Sequence, residues 1–138
     1  MNADGVALDC LSGRHVLVVE DEFLIAMFLE DLLGAAGCRV IGPMPSIAEA
    51  LTALACEPQP DIALLDFHVA GETSVAVADA LAERGVPMVF LTGFGREILP
   101  PRYQDRPVLT KPYDANDLIA TLIGALQHRP AVLPLALG

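Results

Sequence analysis

Ile62-Ala63-Leu64-Leu65-Asp66 is an apolar run that stops on a carboxylate, and the chain repeats that pattern. Four apolar residues without polar alternation describe a strand buried on both faces. Pro58 and Pro60 separate this run from what precedes it. Val16-Leu17-Val18-Val19 reads the same way and stops on Glu20-Asp21-Glu22. Met88 to Leu91 follows Pro87 and ends at Thr92, and Val108-Leu109-Thr110 follows Pro107 and ends at Lys111-Pro112. Arg39-Val40-Ile41 supplies a fifth short strand.

Helical patterns lie between the strands. From Phe23 to about Ala36, the residues Ile25, Phe28, Leu29, Leu32 and Ala36 recur at helical spacing, and Gly37 is placed to end the helix. Ser46 with Glu49 forms a capping box for the second helix. A third runs from about Ser74 to Arg84, and Asp114 caps a last one from Ala115 to about His128. Between strands four and five, Arg96 to Asp105 contains Pro100-Pro101, which predicts a short or irregular fourth helix. With Gly93 and Gly95 beside it, the segment 93–105 is expected to be locally loose. Alternation of this kind specifies an α/β fold, a doubly wound parallel sheet with right-handed crossovers. Residues 1–12 read as a leader, 13–129 as the domain, and 130–138 as an apolar C-terminal arm.

The chain has 138 residues, 54% of them hydrophobic, enough for one core. The longest apolar run, Phe23 to Leu29, is far below the roughly 18 residues of a bilayer span, so no membrane insertion is expected. Eighteen acidic residues against eight basic ones give a net charge of -10, which repels phosphate backbones and argues against nucleic-acid binding. The odd count of three cysteines without metal spacing fits reduced thiols and a cytoplasmic protein.

In a doubly wound sheet, ligands bind outside the carboxyl ends of the strands. Those ends deliver Glu20, Asp21, Asp66, Thr92 and Lys111. Clustered carboxylates raise one another's pKa unless a cation neutralises them, and a hard ion such as Mg2+ suits an oxygen set. Lys111 and the Thr92 hydroxyl would add a positive charge and a donor for phosphoryl oxygens. Phosphoryl transfer is mostly positioning and electrostatics, so Asp66 is the candidate nucleophile for an aspartyl phosphate. Each residue alone has a plainer reading, a turn former or a solvated charge. Their joint placement at four strand ends favours a site.

Taken together, Val16-Leu17-Val18-Val19-Glu20-Asp21-Glu22, Leu64-Leu65-Asp66, Phe90-Leu91-Thr92-Gly93 and Thr110-Lys111-Pro112 resemble the signature of CheY-like response-regulator receiver domains over about residues 14–128. The resemblance implies a flavodoxin-like (βα)5 fold with strand order 2-1-3-4-5. It implies that Asp66 takes a phosphoryl group from a sensor histidine kinase or phosphotransfer protein. It further implies Mg2+ held by Asp21, Asp66 and the backbone carbonyl of His68, with Glu20 acting through water. Lys111 and Thr92 would contact the phosphate, and Lys111-Pro112 would be a cis peptide. The stretch Pro87 to Phe94 is similar to an alphaproteobacterial subgroup whose fourth strand reads Phe-Ala-Thr-Gly-aromatic, with Leu91 in place of the alanine. Receivers of that subgroup often stand alone and serve kinases of the corresponding alphaproteobacterial classes, including those of stress-response circuits.

Two departures bear on mechanism. Val108 occupies a position that is commonly an inward-turning aromatic, and Val69-Ala70-Gly71 lacks the usual proline, which predicts a looser loop after Asp66. The expected function is therefore a stand-alone receiver, with a monomer favoured, that catalyses only its own phosphorylation and dephosphorylation and signals to an unidentified downstream protein by contact. A receiver-like binding module that is never phosphorylated is one rival, and the complete acidic set argues against it. An aspartate-nucleophile phosphatase is the other, and its Asp-x-Asp pattern is not matched by Glu20-Asp21-Glu22. Finally, seven consecutive apolar residues cannot share one helical stripe, so Leu24 and Met27 are expected at the surface as a docking face, unless the last helix or the tail covers them.

Overall fold

The computed structural model describes residues 10–127. In chain order the elements are β1 (His15–Val19), α1 (Phe23–Ala35), β2 (Arg39–Met44), α2 (Ile47–Leu54), β3 (Ile62–Asp66), β4 (His68–Val69), β5 (Glu72–Thr73), α3 (Val75–Glu83), β6 (Met88–Thr92), β7 (Val108–Thr110) and α4 (Ala115–Gln127). Five strands form one sheet in the order β2-β1-β3-β6-β7, all pairs parallel. Leaving out the small β4–β5 hairpin, this is the order 2-1-3-4-5 of the flavodoxin-like fold.

The unbroken apolar runs are explained by burial on two faces. Val16, Val18, Ile62, Leu64, Val89 and Leu91 pack on one side with residues of α1 and α4. Leu17, Val19, Ala63, Leu65, Met88 and Phe90 pack on the other with residues of α2 and α3. Ser46 caps α2 as its sequence predicts, its hydroxyl accepting from the Glu49 N–H at 3.1 Å. Gly37 ends α1 at φ +90, and a Cβ there would come within 3.3 Å of Ser12.

Helix α1 departs from the expected stripe. Leu29 and Leu33 are its buried residues, whereas Phe28 is 44% exposed. Successive helical residues are about 100° apart, so a stripe centred on Leu29 and Leu33 turns Phe28 outward. Leu24 and Met27 are exposed as expected, at 78% and 45%, and α4 does not cover them.

The segment between β6 and β7 is irregular, with 3₁₀ turns at Arg96–Ile98 and Pro101–Tyr103, but it is anchored rather than loose. Leu99 and Tyr103 are buried. The Tyr103 ring lies 5.7 Å from that of Phe90, and its hydroxyl donates to Asp79 of α3. Arg102 donates to both oxygens of the same carboxylate. The Arg96 guanidinium donates to the carbonyls of Gln104 and Arg106. Two prolines therefore break the helix, while an aromatic anchor and an ion pair hold the chain.

The loop after Asp66 is also ordered. His68 pairs with Thr73 and Val69 with Glu72, and fully buried Val69 fastens this hairpin to the core. Of the expected leader, Cys10 to Ser12 is described, and Leu11 is fully buried in the core cluster that includes Leu29 and Leu122. Residues 1–9, and 128–138 with the expected arm, lie outside the described residues.

The phase of α1 can be tested by truncation. Leu33→Ala should cost about 2–5 kcal/mol in urea unfolding, as burial in a packed core implies. Leu24→Ala should stay within about 0.5 kcal/mol.

Candidate functional site

Backbone hydrogen bonds fix where each strand ends. Beyond β1, the Glu20 N–H donates to the Met44 carbonyl at 3.0 Å. Beyond β3, the Phe67 N–H donates to the Leu91 carbonyl at 2.9 Å, and beyond β7 the Lys111 N–H donates to the Thr92 carbonyl at 2.8 Å. These bonds bring Asp21, Asp66, Thr92 and Lys111 to one open recess, together with Glu22, His68 and Phe94. The Lys111–Pro112 peptide is cis.

Lys111 is the hub. Its Nζ lies 3.0 Å from Asp66 Oδ2 and 3.8 Å from Glu20 Oε1. Burial lowers the pKa of this ammonium, but the hydrogen bond to Asp66 and the charges of Asp66, Glu20 and Glu22 outweigh it, so the net shift is upward. Carboxylate oxygens of Glu20, Asp21 and Asp66 lie within 4.8 Å of one another. Glu20 is buried, and its Oε2 accepts from the Glu22 N–H at 3.1 Å. Its Oε1 has no hydrogen-bond partner among the described residues. Burial pushes the Glu20 carboxyl up to about 7, the Glu22 N–H opposes that rise, and the Asp66 charge adds to it.

This donor set fits a hard divalent cation. Three carboxylates lie near a common centre, one oxygen is buried without a hydrogen bond among the described residues, and the recess is open to water for the remaining ligands. His68 stands at the start of β4, and its ring meets the edge of Phe67 at 4.9 Å and of Phe94 at 6.2 Å. Thr92 is buried, and its Oγ1 accepts from the Phe94 N–H at 3.0 Å, which pins the hydroxyl and leaves its proton for another acceptor.

Two contributors were not read from the sequence. The Ala70 N–H donates to Asp21 Oδ2 at 2.9 Å, a bond across 49 residues that no local pattern announces. Tyr113 carries a hydroxyl pushed up to about 12 by burial, then by the charges of Glu20 and Asp66. Its place two residues after Lys111 was the available signal. Leu24 and Met27 lie on α1, with Phe23 and Phe28 also exposed, making an apolar surface on the helix that begins beside Glu22. No helix among the described residues is long and apolar enough to cross a membrane.

Residues 16–123 match the response regulator receiver domain family. The phyllosphere-induced regulator PhyR of Methylorubrum extorquens is 32% identical over 117 residues, 83% of this chain and 44% of that protein. The solution structure of the PhyR receiver domain of Erythrobacter litoralis aligns with TM-score 0.76 and 31% identity, covering 88% of this chain and 96% of that one. The solution structure of SdrG from Sphingomonas melonis aligns with TM-score 0.72 and 40% identity, covering 83% and 97%. These relatives come from alphaproteobacteria, the narrower group that the fourth strand resembles. The chain spans less than half the length of the curated relatives it matches.

The Glu20 environment has a pH signature. Its carboxyl binds a proton more tightly folded than unfolded, so its contribution to stability is complete below about pH 4.5 and is lost as pH rises through about 7. In metal-free buffer, Glu20→Gln should flatten the decline of the urea midpoint between pH 5 and 8. An unchanged decline would assign it to other groups.

Proposed function

The chain belongs to the response regulator receiver domain family, and from that premise we propose that Asp66 accepts a phosphoryl group from a sensor histidine kinase or phosphotransfer protein. The observation that carries this reading is the Lys111 ammonium, 3.0 Å from Asp66 Oδ2, at an edge crowded with carboxylates. An Asp66 oxygen forms a bond to phosphorus as the donor's phosphorus–nitrogen bond breaks, leaving an aspartyl phosphate. Asp21, Asp66 and the His68 backbone carbonyl would hold Mg2+, with Glu20 contributing through water. A bound Mg2+ supplies positive charge against the carboxylates and the incoming phosphoryl oxygens.

The chain's own groups do the rest. Lys111 is within reach of an oxygen on a phosphoryl group attached to Asp66, and its raised pKa keeps it charged. The Thr92 hydroxyl stands at the end of β6 to donate to the same group. We read the protein as a cytoplasmic receiver in a two-component or phosphorelay pathway. It catalyses only its own phosphorylation and dephosphorylation, and signals by contact with a downstream protein. Leu24 and Met27 are the proposed anchors for the phosphodonor's helices, since both are exposed on the helix that starts at the acidic edge.

Incubation with Mg2+ and acetyl phosphate should add one phosphoryl group by mass spectrometry, and Asp66→Asn should abolish it because an amide is not a competent nucleophile. Full labelling of that variant would sink the assignment. Lys111→Ala should keep Mg2+ binding while impairing phosphorylation or its structural readout.

The docking face has its own test. Leu24→Ala combined with Met27→Ala should weaken association with the kinase by about 1–2 kcal/mol and slow transfer from it. Labelling by acetyl phosphate should persist. Loss of both reactions would count against docking.

A further inference from the structure

Ala70 adopts φ +52, a left-handed conformation that residues with a Cβ adopt rarely, and Gly71 follows at φ +83. Two successive positive φ values between Val69 and Glu72 give a two-residue hairpin turn of the primed kind, where asparagine or glycine is the usual first residue. The N–H of that first residue lies outside the strand ladder and is free to bond an acceptor other than a neighbouring strand. Here it donates to Asp21 Oδ2 at 2.9 Å. The donor is held from both sides. Buried Val69 precedes it, and the Ser74 N–H closes the base of the hairpin on the Phe67 carbonyl at 2.9 Å. Asp21, by contrast, is an exposed side chain beyond the end of β1, with freedom to turn into solvent.

We propose that Ala70 is a positioning residue for the acidic edge: its backbone N–H fixes the Asp21 carboxylate beside Glu20 and Asp66, so that divalent-cation affinity depends on the β4–β5 turn. One lone pair of Asp21 is committed to the hairpin, and the others remain for the cation. The hydrogen bond stops rotation of the side chain, so the cation need not order it. This rests on the reading of the edge as a divalent-cation site.

The test is isothermal titration of the full 138-residue chain with Mg2+. An amide-to-ester replacement at Ala70 removes the N–H and keeps the methyl group, and it should raise the Mg2+ Kd about tenfold, the usual effect of losing a partner behind a ligand. Ala70→Gly, the conservative variant, keeps the N–H and suits the positive φ, and it should bind within about twofold of wild type. An ester variant with wild-type affinity overturns the proposal. The second measurement is amide hydrogen exchange at Ala70 in the metal-free protein, where Asp21→Ala should accelerate exchange at that amide. No acceleration likewise overturns it, whatever the ester does to the hairpin. Asp21→Asn separates the two levels. If it leaves Mg2+ affinity unchanged, the cation reading itself fails and this inference falls with it. If it weakens Mg2+ while the ester does not, only the role of Ala70 fails.

Discussion

Like charges crowded at one edge of the sheet are the constraint that the rest of this structure has to accommodate. One carboxylate oxygen each from Glu20, Asp21 and Asp66 shares a space under 5 Å across, with the Lys111 ammonium paired to Asp66 and Glu20. Two unit charges about 4 Å apart repel by about 4 kcal/mol at the effective dielectric of a protein surface. Against a total stability of about 5–15 kcal/mol, such a cluster is tolerable only when something offsets it. Three offsets are available here: the charge of Lys111, a proton on Glu20, whose carboxyl is pushed up to about 7, and a divalent cation. An edge that gains stability from added positive charge is by the same physics an edge suited to a divalent cation.

That edge exists because the sheet is rigid behind it. Strands β1, β3 and β6 are almost entirely buried, and their side chains alternate between the two helical layers. A slip of one residue would move each apolar set to the wrong layer and carry Asp66 away from Lys111. Register, and with it the geometry of the charged residues, is therefore specified by hydrophobic packing. Asp66 and Thr92 are the buried last residues of β3 and β6, while Glu20, Asp21 and Lys111 follow β1 and β7 by one or two residues, where Asp21 is exposed.

Around this edge the protein keeps features that packing alone would remove. Phe23, Leu24, Met27 and Phe28 expose apolar surface on α1, where burial of each side chain would be worth about 1.5–3 kcal/mol. Ala70 holds a backbone conformation better suited to glycine. Both lie next to the acidic residues in sequence or in space. Local rules are broken where the charged cluster is built and obeyed in the core below it.

The sequence by itself determined the alternation of strands and helices, the family, and which residues stand at the strand ends, because buried parallel strands leave continuous apolar runs that stop abruptly. It also located the broken fourth helix, since Pro100-Pro101 forbids helical hydrogen bonding locally. What it left undecided is long-range. Helical spacing gives a period but not its phase on the sheet, so Leu33 took the buried place assigned to Phe28. Ala70-Gly71 carries a weak turn signal; the hairpin it makes is held by buried Val69 and by the Ser74 N–H on the Phe67 carbonyl, and it reaches Asp21, 49 residues away. The segment 93–105 looked loose because its anchor, Asp79, lies on another helix. The Glu20 carboxyl owes its pKa first to burial, and burial is a property that only the assembled sheet and helices create.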